Sequence, residues 1–304
     1  MSGGSMERSR DWRKYNESLV KRGELYLTLS FLKNWDRDLE QINRGKLGRK
    51  FDSPWAFIEF LMLVHVIFGL PYRQMEGFLR KLSNFIPQIK PADYTTIWRR
   101  GSKLDIKLAD TISATNESVV IAVDSSGIKV TNRGEWMREK WKLHRGWIKV
   151  HLAVNVETKE IVGIEVTDET VSDGAEFNPL VTQAEKNLGG GRIEAALGDG
   201  GYDRREIFNY LNEKGIQPII KTRSNACTQS NGSPSRANAV REAREIGYQA
   251  WKEKYRYGRR WTTETTFSAV KRIAGEYVSA SKPENMLHEA KLKFVFYNIL
   301  LNLA

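Results

Sequence analysis

Over the first hundred positions, apolar residues recur at helical spacing. Ser53 and Pro54 make an N-cap and first-turn pair that opens the apolar stretch 55–70, which is long and lacks strand alternation, so it predicts a helix. Pro71 restarts the chain. A second amphipathic helix is predicted over about residues 72–82, with Met75, Phe78, Leu79 and Leu82 at core spacing and Arg73, Arg80 and Lys81 largely on other faces. After a proline-bearing loop at 84–93, a third helix is predicted over about 94–104. On it Ile97, Gly101 and Leu104 share one side, and Thr96, Arg99, Arg100 and Lys103 share another. That basic side suits the recognition helix of a helix-turn-helix spanning about 53–108, and equally a solvated surface helix.

From Ser118 the period changes. Residues 119–123, Val-Val-Ile-Ala-Val, form the continuous apolar run of a strand buried on both faces, and further strands are predicted at 147–156 and 161–166. Helices are then expected at 173–188, 203–214, 258–274 and 286–303, with strands at 193–197 and 216–221. Three antiparallel strands followed by alternating helices and strands predict an α/β domain with a mixed sheet flanked by helices. Residues 224–236, rich in Ser, Asn and Gly, fit a loop within a polar insertion at about 224–256. The expected division is thus an all-helical region over 1–115 and an α/β domain over 116–304.

Composition narrows the class. With 304 residues and 40% hydrophobic content the chain can bury real cores, which excludes disorder and fibrous repeats as overall descriptions. The longest apolar run, 57–70, holds Glu59 and His65 and falls short of the roughly 20 residues of a membrane span. A lone cysteine, Cys227, excludes an intramolecular disulfide and a multi-Cys zinc site. The first residues lack a signal-peptide core and resemble a cloning remnant. A cytoplasmic protein is expected. The net charge of +11 is patchy: +7 falls in 1–115, and windows at 133–149 and 252–272 carry +4 and +5. Such patches favour a polyanionic partner such as nucleic acid.

Candidate chemistry sits among carboxylates. Asp124 ends the buried run 119–123, where a carboxylate needs a cationic partner, either a metal ion or a basic side chain. Asp199 leaves the strand at 193–197 in the same way, and Gly200 and Gly201 after it allow close approach. On a helix extended back to residue 257, Tyr257, Arg260, Glu264 and Lys271 would form one stripe, a poor core face but one suited to phosphates and a metal. An exposed helix with Arg260–Glu264 pairing remains the alternative. Between the first two strands, Arg138, Lys140, Trp141, Lys142 and Arg145, with Trp136 and Trp147, suit either a phosphate track with stacking platforms or a packed hairpin. His65 fits a core or groove position, and His144, His151 and His288 lack metal-ligand spacing.

Three motifs together resemble a known family. Asp124 in Ile121-Ala-Val-Asp-Ser-Ser-Gly127, Asp199 in Gly198-Asp-Gly-Gly-Tyr-Asp203, and Tyr257-x2-Arg260-x3-Glu264-x6-Lys271 are similar to the motifs of insertion-sequence transposases, whose catalytic domain is RNase H-like and carries an Asp-Asp-Glu triad. The last pattern resembles the Tyr-Arg-Glu-Lys signature of one bacterial and archaeal branch. The resemblance implies that Asp124, Asp199 and Glu264 hold two Mg²⁺ ions, with Mn²⁺ as a substitute. It implies hydrolysis at the ends of the element and joining of the freed 3′-OH to target DNA. Tyr257, Arg260 and Lys271 would then contact phosphates. The implied partners are double-stranded DNA, as terminal inverted repeats and target, and a second copy of the chain in a homodimer, associated with the nucleoid. The stretch between Asp199 and Glu264 leaves little room for the β-rich module that some relatives insert there, which weighs against their hairpin route of excision. Two rivals stay open: a nuclease of the same fold that does not join strands, and a non-catalytic DNA-binding descendant.

Overall fold

The computed structural model describes residues 11–25, 29–130 and 147–302. They group into two compact units, one holding the chain up to Leu104 with the end of the last helix from Ile299, the other spanning Asp105–Asn298.

The first unit is helical: α1 (Trp12–Leu25), α2 (Trp35–Asn43), α3 (Trp55–Phe68), α4 (Tyr72–Leu82) and α5 (Tyr94–Gly101). Because α3 is apolar nearly all round, it is buried from Phe57 to Val66 along most of its surface. Phe31, Trp35, Phe57 and Phe60 stack around its start. Gly69, at φ 61°, ends α3 in the left-handed conformation that a side chain would resist. Only Gly69, Leu70 and Pro71 separate α3 from α4, whereas residues 83–93 separate α4 from α5. A three-residue turn containing Gly is what joins the helices of a helix-turn-helix, so α3 and α4, rather than α4 and α5, have that connection. His65 is structural: its Nδ1 lies 2.7 Å from the Leu70 carbonyl and its ring stacks on Tyr72.

Helix α5 is shorter than its pattern suggests and stops at Gly101. Asp93 caps it, accepting hydrogen bonds from the Thr95 and Thr96 amides, and the Thr96 hydroxyl donates to the same carboxylate at 2.8 Å. Those bonds, the two from the threonine hydroxyls first, hold the Asp93 carboxyl far below the usual carboxylate range. A Cβ at Gly101 would run into Met62 Sδ, which marks the close approach of α5 to α3. The expected basic face is corrected at Arg100. Arg100 is 6% exposed, donates from Nη1 to Ser53 O and Oγ at 2.6 and 2.7 Å, and lies over the rings of Phe51 and Trp55. Burial lowers its pKa to about 10. It is a core residue because Ile97, at i−3, carries the buried face round to it. Arg99 and Lys103 remain exposed, and Lys103 lies past the end of the helix.

The second unit is built on a mixed sheet of order β3-β2-β1-β4-β5, with β6 pairing the far end of β1. Its strands are β1 (Val119–Val130), β2 (Trp147–Asn155), β3 (Ile161–Asp168), β4 (Ile193–Gly198), β5 (Gln217–Ile220) and β6 (Tyr277–Val278). The first three are antiparallel neighbours; β4 and β5 run parallel to β1. Helices α6 (Asp173–Asn187), α7 (Arg205–Glu213), α8 (Pro234–Lys254), α9 (Trp261–Ala274) and α10 (Pro283–Asn302) complete the described chain. Side-chain alternation along β1 explains its apolar run. Ile121 and Val123 join a core with Phe177, Leu180 and Phe208 from α6 and α7, while Ala122 faces the other way into a core with Trp251 and Tyr257. The mixed sheet flanked by helices agrees with the expected fold class.

Three local expectations change. Strand β1 continues to Val130 instead of ending at Asp124. The second half of the expected polar insertion is helix α8, broken at Gly247 (φ 78°). The glutamate helix begins at Trp261, with Tyr257–Arg260 forming a 3-10 turn before it, so Tyr257 lies off the expected stripe. The segment holding Arg138, Lys140, Trp141, Lys142 and Arg145 lies outside the described residues.

Arg100→Ala is expected to lower the stability of the helical unit by about 2 kcal/mol through lost packing, cation–π contacts and the bonds to Ser53. Arg99→Ala should change it by under about 0.5 kcal/mol, both read by chemical denaturation.

Candidate active site

Register brings the two aspartates together. The last parallel pair between β1 and β4 is Ala122↔Leu197, and Asp124 and Asp199 each lie two residues beyond it. Adjacent strands run about 5 Å apart, so the two carboxylates emerge side by side where β4 ends and β1 continues. Their proximity is electrostatically visible: burial first, and the Asp199 charge in addition, push the Asp124 carboxyl above the usual range. The Ser125 amide at 2.9 Å, the Thr263 hydroxyl at 3.3 Å and the Arg260 charge act in the opposite direction and do not prevail. A salt-bridged aspartate ordinarily shifts downward, so desolvation dominates here.

The turn that carries Asp199 is pinned from two sides. Asp199 Oδ1 accepts the Gly201 amide at 2.8 Å, and a Cβ at Gly201 would sit only 2.9 Å from that oxygen, which is why glycine follows. Four residues on, Asp203 is buried and receives Arg236 of α8 in a two-pronged bond at 2.6 and 2.9 Å, with the Arg223 amide at 2.9 Å. On the other side Tyr257 is 6% exposed and its hydroxyl donates to the Gly198 carbonyl at 3.1 Å. Burial raises the Tyr257 pKa to about 12. The Tyr257 hydroxyl, expected on a phosphate, is bonded inside the protein here and fixes the residue before Asp199.

Glu264 stands in the first turn of α9 and reaches Asp124 through Arg260. Arg260 Nη1 donates to Asp124 Oδ2 at 2.9 Å and Nη2 to Glu264 Oε1 at 2.7 Å. Burial opposes the guanidinium charge, yet the Glu264 hydrogen bond and the Asp124 charge raise its pKa overall. Asp124, Glu264 and Lys271 line a cleft of about 530 Å³ with Ser125, Ser126 and Arg272. Lys271 Nζ donates to Ser126 Oγ at 2.8 Å, and burial lowers its pKa, with Lys129 acting in the same direction. Asp199 is exposed and is not part of that cleft lining.

Asp173 and His151, which from the sequence carry no sign of a site role, belong to a polar cluster that reaches Ser125, the neighbour of Asp124. Asp173, first residue of α6, accepts from Ser125 Oγ at 2.6 Å and pairs with Lys149 Nζ at 2.8 Å. His151 is fully buried beside them, 3.0 Å from Thr167 Oγ1. Lys149 and His151 are two apart on β2, and His151 is the register partner of Ser125. Thr263 had no signal, because its bond to Asp124 depends on where α9 crosses β1.

Two aspartates at one level of a mixed sheet in the order 3-2-1-4-5, with a glutamate offered from a following helix, define an RNase H-like fold with a carboxylate site. Models of the Transposase DDE domain match residues 115–299 and, separately, residues 20–133. The chain belongs to the DDE transposase family: it is a DNA transposase, a metal-dependent enzyme that cleaves and joins DNA. Similar solved structures include a piggyBac transposase synaptic complex with hairpin DNA, at 12% identity over 93% of this chain and 74% of that one, with a TM-score of 0.43. The Drosophila P element transposase strand transfer complex is 12% identical over 87% and 69%, with a TM-score of 0.35. The catalytic core domain of BIV integrase is 11% identical over 59% and 82%, with a TM-score of 0.30.

The family generally uses divalent metal ions, and the donor set here is chemically suited to them. Asp124, Asp199 and Glu264 offer hard carboxylate oxygens, and the mutual repulsion of the aspartates favours a cation. Among the described residues, however, no three His, Cys, Asp or Glu side chains converge as a metal-holding group. Between Asp124 and Glu264 the positive charge is supplied by Arg260.

Burial holds the His151 imidazole down at about 4, with Lys149 acting in the same direction and Asp173 against it. A depressed pKa means the unfolded chain binds the proton more readily, so stability should be constant above about pH 6.5 and decline as pH falls toward 4. The expected loss by pH 5 is about 2 kcal/mol. His151→Gln should flatten that limb in denaturant titrations run from pH 7 to 5.

Proposed function

We propose that Asp124, Asp199 and Glu264 are the catalytic triad of a transposase that cuts the ends of its own insertion sequence and joins the 3′-OH ends to target DNA. The observation that carries this reading is the common level of Asp124 and Asp199 beside the cleft that Glu264 lines. The three side chains would hold two Mg²⁺ ions, or Mn²⁺. When bound, such ions supply Lewis-acid activation of a water or 3′-OH and neutralise charge on the phosphoryl oxygens.

The chain's own residues do the rest. The pinned turn at 198–203 and the continuous strand β1 fix the two aspartates on separate rigid supports, so that neither relaxes away from the other's charge. Lys271 and Arg272 line the cleft beside Asp124 and suit a phosphate diester lying along it. Lys271 is held by Ser126, one residue from Ser125 and two from Asp124, so a phosphate on Lys271 lies within reach of the carboxylates. Trp147, at the start of β2, adds an aromatic face against Gly127. The spacing of Tyr257, Arg260, Glu264 and Lys271 supports membership of the Tyr-Arg-Glu-Lys branch, with Tyr257 acting on Gly198 rather than on DNA.

The helical unit would bind the terminal repeats. Arg73, Gln74, Arg80 and Lys81 are exposed on α4, the second helix of the pair with the short turn, and Arg99 and Lys103 are exposed at α5. Joining two ends to one target favours a homodimer as the working form.

Asp124→Asn, Asp199→Asn and Glu264→Gln should each reduce Mg²⁺-dependent processing of DNA carrying the element's terminal repeats by at least about 10³-fold, with melting temperature retained. Products resolved on denaturing gels separate the readings. Joined strands support the transposase; cleavage without joining points to a nuclease; binding without cleavage points to a non-catalytic descendant.

A further inference from the structure

The guanidinium of Arg260 sits where a metal-holding site would need room. Its two terminal nitrogens bond different carboxylates, Asp124 Oδ2 at 2.9 Å and Glu264 Oε1 at 2.7 Å. The side chains of Arg260 and Asp124 are 16% and 20% exposed, so this is a partly desolvated fork and not a loose surface pair. The oxygens it engages are ones through which Asp124 and Glu264 would hold a cation between them. A divalent ion brought between the same pair of oxygens would stand close to the guanidinium's positive charge, so the two cations compete for these carboxylates.

We propose that Arg260 is the resident counter-cation of this site, and that its guanidinium must leave Asp124 and Glu264 before those carboxylates can hold a divalent ion. The inference rests on the reading of Asp124, Asp199 and Glu264 as the metal-holding set. Arg260 neutralises one charge among carboxylates that repel each other, and so keeps the site intact in the DNA-free protein at the cost of its metal affinity.

Local geometry favours a side chain that moves and a backbone that does not. Arg260 ends the 3-10 turn that begins at Tyr257, and Tyr257 is anchored in the core against Trp251 and on Gly198. The open cleft beside Asp124 and Glu264, about 530 Å³, gives the long side chain somewhere to swing. A DNA phosphate entering that cleft would offer Arg260 another anion, one that a guanidinium grips in the same two-pronged way. Arrival of DNA and loading of metal would then favour each other, and the coupling must be equal in both directions.

The test measures Mn²⁺ binding to the full chain without DNA, by calorimetry and by the electron paramagnetic resonance signal of the free ion. Arg260→Gln, which keeps much of the volume and removes the charge, is expected to bind Mn²⁺ at least tenfold more tightly than the wild type. Arg260→Lys, whose single ammonium cannot fork across both carboxylates, should fall between them. Melting gives a second readout: Arg260→Gln should melt lower than wild type without metal and recover more on adding Mn²⁺. Equal or weaker Mn²⁺ binding by Arg260→Gln, or no binding by either protein, would overturn the proposal. Failure of the underlying triad reading looks different, because Asp124→Asn and Glu264→Gln would then leave Mn²⁺ binding unchanged.

Discussion

Two carboxylates emerging side by side from neighbouring parallel strands repel each other, and much of the second unit is arranged to keep them there. Asp124 is held by a strand that continues beyond it, flanked by β2 from Ile121 to Lys129 and by β6 at its end. Asp199 is held by a turn whose flanks are bonded to Tyr257 and, through Asp203, to Arg236. Those supports come from four different parts of the chain. Asp199 is exposed and Asp124 is half-buried, so the cost of the repulsion falls on Asp124, whose carboxyl is the one pushed upward.

The sheet makes this possible because it is buried on both faces. The residues of β1 before Asp124 alternate between a core shared with α6 and α7 and a smaller core built on Trp251 and Tyr257. That second core positions Tyr257, and with it the turn from which Arg260 reaches back to Asp124. At the other end of α9, the buried Lys293 donates to the Ala274 carbonyl at 2.6 Å and so closes the helix C-terminus. Phe267 meets Phe294 edge-on beside it. The glutamate helix is therefore fixed at both ends, by a tyrosine and by a lysine, each spent on a backbone carbonyl.

What could be read from the chain beforehand follows the reach of each kind of signal. Apolar period identified most strands and helices of the second unit, though not α8 or the short β6, and the glycines after Asp199 marked a turn of close approach. The same period could not say where β1 would lose its parallel neighbour, because that depends on β4 being short. It mistook Arg100 for a surface residue, since a charged side chain beside a buried face looks polar in any pattern, whereas Phe51 and Trp55 supply the sandwich that receives it. Helical extrapolation carried Tyr257 onto the Glu264 stripe, although the Tyr257–Arg260 turn has a tighter period and sends its ring into the core. The need of Asp124 for a cationic partner was legible from desolvation alone. That the described partner is Arg260 was not, because the two are separated by 136 residues.

That separation has a consequence for how the protein is made. The central strand β1 waits for β4, then for the Tyr257 turn and α9, and lastly for β6, so its contacts close loops of increasing length. Topologies of this kind fold slowly, because the entropy of each closure is lost before the contacts that reward it form. On a ribosome, Asp124 would leave the exit tunnel long before Glu264 is synthesised. A chain interrupted before Arg260 lacks the arginine and the glutamate together, so an incomplete product leaves Asp124 without either of the groups that close the site around it.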